Sequence, residues 1–175
     1  MWDDGLVVKV GGGLQQKYYL EQARSSRKTD TTWWDQKFYT STATARLKEL
    51  FGFDVFSNPK HVDLIDRMLS LWVRNSGDLV MDFFGGSGST AHAVMAVNAI
   101  DGVGRQSISV QMPEVLDESS EAYKAGYRTI ADITRARIDK VIAKLKAEHP
   151  DKTADLACAH FTLAPSNFKV WRGDV

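Results

Sequence analysis

Apolar residues recur every three to four positions between Val62 and Trp72, with Val62, Ile65, Leu69 and Trp72 in one line and Leu64, Met68 and Leu71 widening it. That period predicts an amphipathic helix. Pro59 suits its first position, and Ser57 or Asn58 suits its cap. Asn75-Ser76-Gly77-Asp78 closes it, and the period then changes. Leu79-Val80-Met81-Asp82-Phe83-Phe84 is a short apolar run, which predicts a strand buried on both faces. Gly85-Gly86-Ser87-Gly88 turns the chain into a helix over 89–99, whose small first residues permit close packing on the strand. A second strand is predicted over 107–112. A long helix over 129–148 carries Ile130, Ile133, Ile138, Val141, Ile142 and Leu145 on one side, with Pro150 just beyond it. Residues 44–51 read as a short helix closed by Gly52. Residues 159–163 and 168–171 read as final strands joined at Pro165-Ser166-Asn167. Alternating helices and strands predict an α/β architecture with a parallel sheet.

Residues 1–32 are the least regular. A short apolar run (Leu6, Val7, Val8), a Gly11-Gly12-Gly13 breaker and a polar stretch predict a strand or arm followed by a loop. They are expected to form an N-terminal arm or linker, with the main domain over 33–175. Trp33, Trp34, Phe38 and Tyr39 form an aromatic cluster, expected to pack on a neighbouring domain rather than stack on bases.

Composition narrows the function classes. The 175 residues are 43% apolar, enough for a core. Lys plus Arg equals Asp plus Glu at 22 each, which argues against binding nucleic acid by bulk charge alone. One cysteine, Cys158, excludes an intramolecular disulfide. No signal peptide and no apolar run near transmembrane length appear, so the chain is expected to be soluble and cytoplasmic, with no membrane partner. His61, His92, His149 and His160 are isolated and no C-x-x-C or H-E-x-x-H occurs, so no metal site is expected. Charge is uneven. Residues 78–121 hold seven acids and one base, whereas 128–146 hold six bases and two acids. The expected reading of the basic run is a solvated helix face.

The candidate chemistry lies in Asp82-Phe83-Phe84-Gly85-Gly86-Ser87-Gly88-Ser89-Thr90-Ala91. Gly86-x-Gly88-x-x-Ala91 matches the strand–turn–helix fingerprint of nucleotide-type sites. Glycines let the backbone turn sharply and approach a ligand, and the following helix offers unpaired N–H groups to a phosphate or carboxylate. The next strand ends at Val110-Gln111-Met112-Pro113-Glu114, where Gln111 or Glu114 is placed to bond ribose hydroxyls. No Gly-Lys-Ser/Thr follows, so a P-loop is excluded.

These residues resemble a known family. Asp82 to Thr90 is similar to the cofactor motif D-x-F-x-G-S-G-[ST]-T of amino-methylating DNA methyltransferases, and Phe56-Ser57-Asn58-Pro59-Lys60 resembles that family's other cofactor motif. Its position upstream is the order of the permuted beta class. Leu47-Lys48-Glu49-Leu50-Phe51-Gly52, 126–133 and 166–171 further resemble Mod subunits of type III restriction–modification systems. His61 departs from the pattern, since Mod-like sequences usually have a second proline there. It is expected to be a helix-start residue rather than a catalyst.

The resemblance implies a partial S-adenosylmethionine-dependent (Rossmann-like) methyltransferase sheet with flanking helices and S-adenosyl-L-methionine as cofactor. The implied cofactor-binding residues are Ser57, Asn58, Pro59, Lys60, Asp82, Phe84, Gly86, Ser87, Gly88, Gln111 and Glu114. Helix N-termini after the glycines and near 57–60 suit the carboxylate, Asp82 the ammonium, Gln111 or Glu114 the ribose, and Phe84 and Met112 the adenine. Adenine-N6 methylation in this family uses an Asp-Pro-Pro-Tyr motif that holds and stacks the flipped base. The four prolines, Pro59, Pro113, Pro150 and Pro165, are all separate, so that motif is not in these residues and no catalytic residue is assigned. The expectation is the cofactor-binding half of a site-specific DNA methyltransferase, inactive alone. Its expected partners are DNA through the full-length enzyme, a missing N-terminal catalytic and target-recognition part, and a restriction subunit. Two alternatives stand beside it. One is a degenerate methyltransferase-fold interaction module without ligand, and the lesser is a nicotinamide or flavin dehydrogenase. Half a sheet would leave an exposed apolar edge at 79–84, to be covered by a homodimer, by residues 1–32 or by a partner.

Overall fold

A computed structural model of the chain describes residues 5–17, 19–21, 34, 38–150 and 156–164. The chain divides into two units, Met1–Asp35 and Gln36–Val175. In the first, β1 (Val7–Val10) and β2 (Gly13–Gln16) form an antiparallel hairpin pairing Val7 with Gln16 and Val10 with Gly13.

The second unit is α/β. Its elements are α1 (Thr40–Phe51), α2 (Val62–Trp72), β3 (Leu79–Asp82), α3 (Ser89–Asp101), β4 (Gln106–Ser109), the short α4 (Glu121–Lys124) and α5 (Ile130–Glu148). Strands β3 and β4 pair in parallel, Leu79 beside Gln106 and Asp82 beside Ser109. Helix α3 makes the crossover that a parallel pair requires. Its small residues work as their pattern predicts, because Ala93 and Val94 are buried against Leu69 of α2, with Val62, Ile65 and Val80 closing the cluster. Two further clusters seat α5. Val141 and Leu145 pack with Ala99 and Leu156, and Ile133 packs with Leu47, Phe51, Val55 and Ala122. Helix α5 starts on a reciprocal capping box. Thr129 Oγ1 accepts the Asp132 N–H at 3.2 Å, and Asp132 Oδ2 accepts the Thr129 N–H at 2.9 Å.

Several expectations are corrected. Helix α1 starts at Thr40, one turn before Thr44. Helix α2 does not begin at Pro59. His61 is its cap, with Nδ1 accepting the Asp63 N–H at 3.2 Å. The reason lies upstream: Asn58 has φ +53°, which stops a right-handed helix from starting there, and Pro59 is fully buried in the segment ahead of the helix. His61 is thus a helix-start residue, and its ring meets Phe38 edge-on at 5.8 Å.

Strand β3 is not buried on both faces. Val80 packs towards α2 and α3, but Leu79 and Met81 are 54% and 50% exposed. The helices cover one side of the pair, and among the described residues nothing covers the other. Residues 159–163 form no strand, and Phe161 and Leu163 are exposed. Trp33 and residues 165–171, with the strand expected over 168–171, lie outside the described residues. Among those described, no helix is long and apolar enough to cross a membrane.

Candidate functional site

The site grows from the end of β3. Asp82 is the last strand residue, and its carboxylate ties the turn to the next helix. Oδ1 accepts the Phe84 N–H at 3.0 Å, and Oδ2 accepts the Thr90 hydroxyl at 2.6 Å. Gly86 and Gly88 lie in the left-handed region at φ +51° and +79°, which glycine occupies without the Cβ clash. Gly88 also lacks room. A Cβ there would stand 3.3 Å from Thr134 Cγ2 and 3.4 Å from the Thr134 carbonyl.

Two distant segments clamp this turn. Gln111, just past β4, accepts the Gly86 N–H on Oε1 at 2.7 Å and donates from Nε2 to the Met112 carbonyl at 3.0 Å. From α5, the Thr134 hydroxyl donates to the Gly86 carbonyl at 2.6 Å. The turn is therefore held at both polar groups of Gly86, which presets its shape before any ligand arrives.

A cleft of about 250 Å³ opens over the turn. Asn58, Lys60, Asp82, Phe84, Gly86 and Ser87 of the expected residues line it, and Phe56, Gly85, Ser89 and Thr90 join them. Ser57, Pro59, Gly88, Gln111 and Glu114 do not line it. Pro59 is buried, Gly88 backs onto α5, Gln111 supports the turn, and the Glu114 backbone carbonyl accepts the Ile130 N–H at 2.9 Å. The cleft is electrically two-sided. Lys60 and the first turn of α3 present positive charge and free N–H groups, while Asp82 supplies a carboxylate. Phe56 and Phe84 add apolar wall. Such a set suits a zwitterion attached to a flat ring.

Beneath the turn lies a residue the sequence did not single out. Arg137 of α5 is buried at 3% exposure. Its Nη1 donates to Ser87 Oγ at 2.9 Å, to Ser89 Oγ at 2.8 Å and to the Ser87 carbonyl at 3.2 Å. Its Nε and Nη2 reach His92 Nδ1 at 3.3 and 3.2 Å. Burial lowers the guanidinium pKa only to about 10, so it stays charged at neutral pH. Burial first, then the Arg137 and Lys144 charges, push His92 down to about 3. His92 is therefore neutral, accepting on Nδ1, which leaves its proton on Nε2. A signal for Arg137 did exist, since it shares the helical stripe of Ile133, Ile138 and Val141, where a solvated base does not belong.

The DNA methylase family of N6/N4 type matches residues 11–125, which include the glycine turn and Gln111. The chain belongs to this family. Among similar proteins, the chain is 37% identical over 163 residues to the StyLTI Mod subunit, a type III restriction–modification enzyme of Salmonella typhimurium strain LT2. That match covers 92% of this chain and 25% of the relative. It is 40% identical over 119 residues to the EcoPI Mod subunit of Escherichia phage P1, covering 68% of this chain and 18% of that one. It is 36% identical over 126 residues to the type II methyltransferase M.KpnI of Klebsiella pneumoniae, covering 70% and 30%. The chain thus spans less than a third of the length of each of these relatives.

Proposed function

We propose that the second unit is the S-adenosylmethionine-binding part of a DNA adenine-N6 methyltransferase of a restriction–modification system. The observation that carries this reading is the cleft at the end of β3, where a preset glycine turn, Asp82 and Lys60 meet. The residues fit the cofactor's charge pattern. The first turn of α3 and Lys60 hold the carboxylate, Asp82 the ammonium, and Phe84 a face of the adenine. Gln111 is engaged by Gly86 and Glu114 does not line the cleft, so no ribose partner is assigned. When bound, S-adenosylmethionine supplies the methyl group on its sulfonium. These residues contribute binding and orientation, which is where positioning catalysis begins. The acceptor amine needs an Asp-Pro-Pro-Tyr type site, and no Pro-Pro step occurs in these 175 residues. In this reading methylation requires the remainder of a longer Mod-type enzyme, which also supplies DNA recognition and any contact with a restriction subunit. The partial sheet is then one side of a Rossmann-like sheet.

Calorimetry on the whole chain tests this reading. S-adenosylmethionine is expected to bind, and Gly86→Val to abolish binding, because a branched side chain at φ +51° distorts the turn. A thermal scan checks that the variant remains folded. A folded wild-type chain that takes up no S-adenosylmethionine defeats the proposal and favours the ligand-free interaction module.

A further inference from the structure

Arg137 carries a charge that the protein itself does not neutralise. All its partners are neutral: two serine hydroxyls, a backbone carbonyl and the His92 ring. Among the described residues no carboxylate makes an ion pair with it. A buried cation facing only dipoles is costly. The hydrogen bonds account for the clamp but leave the charge without a counter-ion.

The hydroxyl network shows where the charge is directed. Ser89 Oγ accepts from Arg137 and donates to the Lys60 carbonyl at 2.9 Å, so its proton is spent. Ser87 Oγ also accepts from Arg137, but its nearest partner for donation is Ser89 Oγ at a long 3.3 Å. Ser87 lines the cleft. Although Ser87 is only 4% exposed, its proton sits on the weakest bond of this network and is the one a ligand can draw away, and a hydroxyl already bonded to a guanidinium is a stronger donor.

We propose that Arg137 is a positioning residue for the carboxylate of an amino-acid-type ligand in the cleft, acting through the Ser87 hydroxyl. This rests on the cofactor reading and assigns part of that site to α5, which lies beyond residues 11–125 of the family match. The ligand anion supplies the missing counter-charge at one hydroxyl's remove. Asp82, which also lines the cleft, takes the ammonium of the same amino-acid group.

The test compares two ligands that differ only in that carboxylate, S-adenosylmethionine and decarboxylated S-adenosylmethionine, by calorimetry on the 175-residue chain. Arg137→Met is expected to weaken S-adenosylmethionine by roughly 10- to 100-fold and the decarboxylated ligand by less than about 3-fold. Arg137→Lys should recover part of the difference. Ser87→Ala should show the same selective loss, and it decides the matter if Arg137→Met does not fold. Equal losses for both ligands in Arg137→Met and Ser87→Ala would make Arg137 a structural clamp and overturn the inference while leaving the cofactor reading intact. Binding of neither ligand by the wild type would overturn the cofactor reading and this inference with it.

Discussion

His92 shows how burial fixes a protonation state here. Its folded pKa is near 3, against 6.5 for a free imidazole. The unfolded chain therefore takes up a proton that the folded chain refuses. The stability this contributes is fully present above pH 6.5 and is lost as pH falls from 6.5 towards 3. At pH 5 the loss from this one group is about 2 kcal/mol. Urea midpoints at pH 7.5, 6 and 5 should fall accordingly. His92→Gln, which keeps an acceptor for Arg137 and does not titrate, should flatten that fall. An unchanged pH slope in the variant would show that another group controls it. Asp78, Asp101, Asp117 and Asp132 are all held below 3.8, so their contributions disappear only at lower pH.

At the scale of elements, α5 matters most, because one helix holds Thr134 on the Gly86 carbonyl and Arg137 under Ser87. Its first turn depends on the Thr129–Asp132 box. Thr129→Ala removes the side-chain acceptor of the Asp132 N–H and is expected to cost about 1 kcal/mol. That corresponds to roughly 2–4 °C in melting temperature for a domain of this size. A differential scan measures it, and no shift would mean the helix start is held by packing alone. The body of α5 was legible because Ile133, Ile138, Val141 and Leu145 repeat at helical spacing. The parallel pairing of β3 and β4 was legible from the alternation of strands and helices. The start of α2 was legible only in part: His61 was expected at the helix start, but the left-handed Asn58 that moves the start past Pro59 leaves no common capping signature. The site was half legible for a related reason. The glycine turn is local, so its residues stand together in the sequence. Its supports are not local: Gln111 meets Gly86 across 25 positions and Arg137 meets Ser87 across 50. Nothing in the run Leu79-Val80-Met81 tells whether one face or two will be covered, since that depends on a layer contributed by other parts of a chain.

At the scale of the whole molecule, the face of the β3–β4 pair that no described residue covers is expected to set solution behaviour. Leu79 and Met81 lie along β3 with Phe83 just beyond it, and Ile108 lies on β4 with Val110 and Met112 beyond it. All six are exposed, Phe83 and Met112 at 62% and 63%. Alternation along paired strands puts them on the side opposite the Val80 cluster. A contiguous apolar row of this kind on a sheet with open edges favours association. The matched Mod subunits are about four to six times longer than the segment matched here, so a longer chain has material to cover the face. In a solution of this chain alone, we infer that a second copy covers it. Light scattering should then give a dimer or larger species at tens of micromolar, dissociating on dilution. Met81→Lys combined with Ile108→Lys should yield monomers without loss of the α2–α3 core, because both side chains point away from Leu69, Ala93 and Val94. A wild-type chain that stays monomeric at high concentration would show that the face tolerates water. A double variant that still dimerises would move the contact to the free backbone edges of β3 and β4, where side-chain charge on the face has little influence.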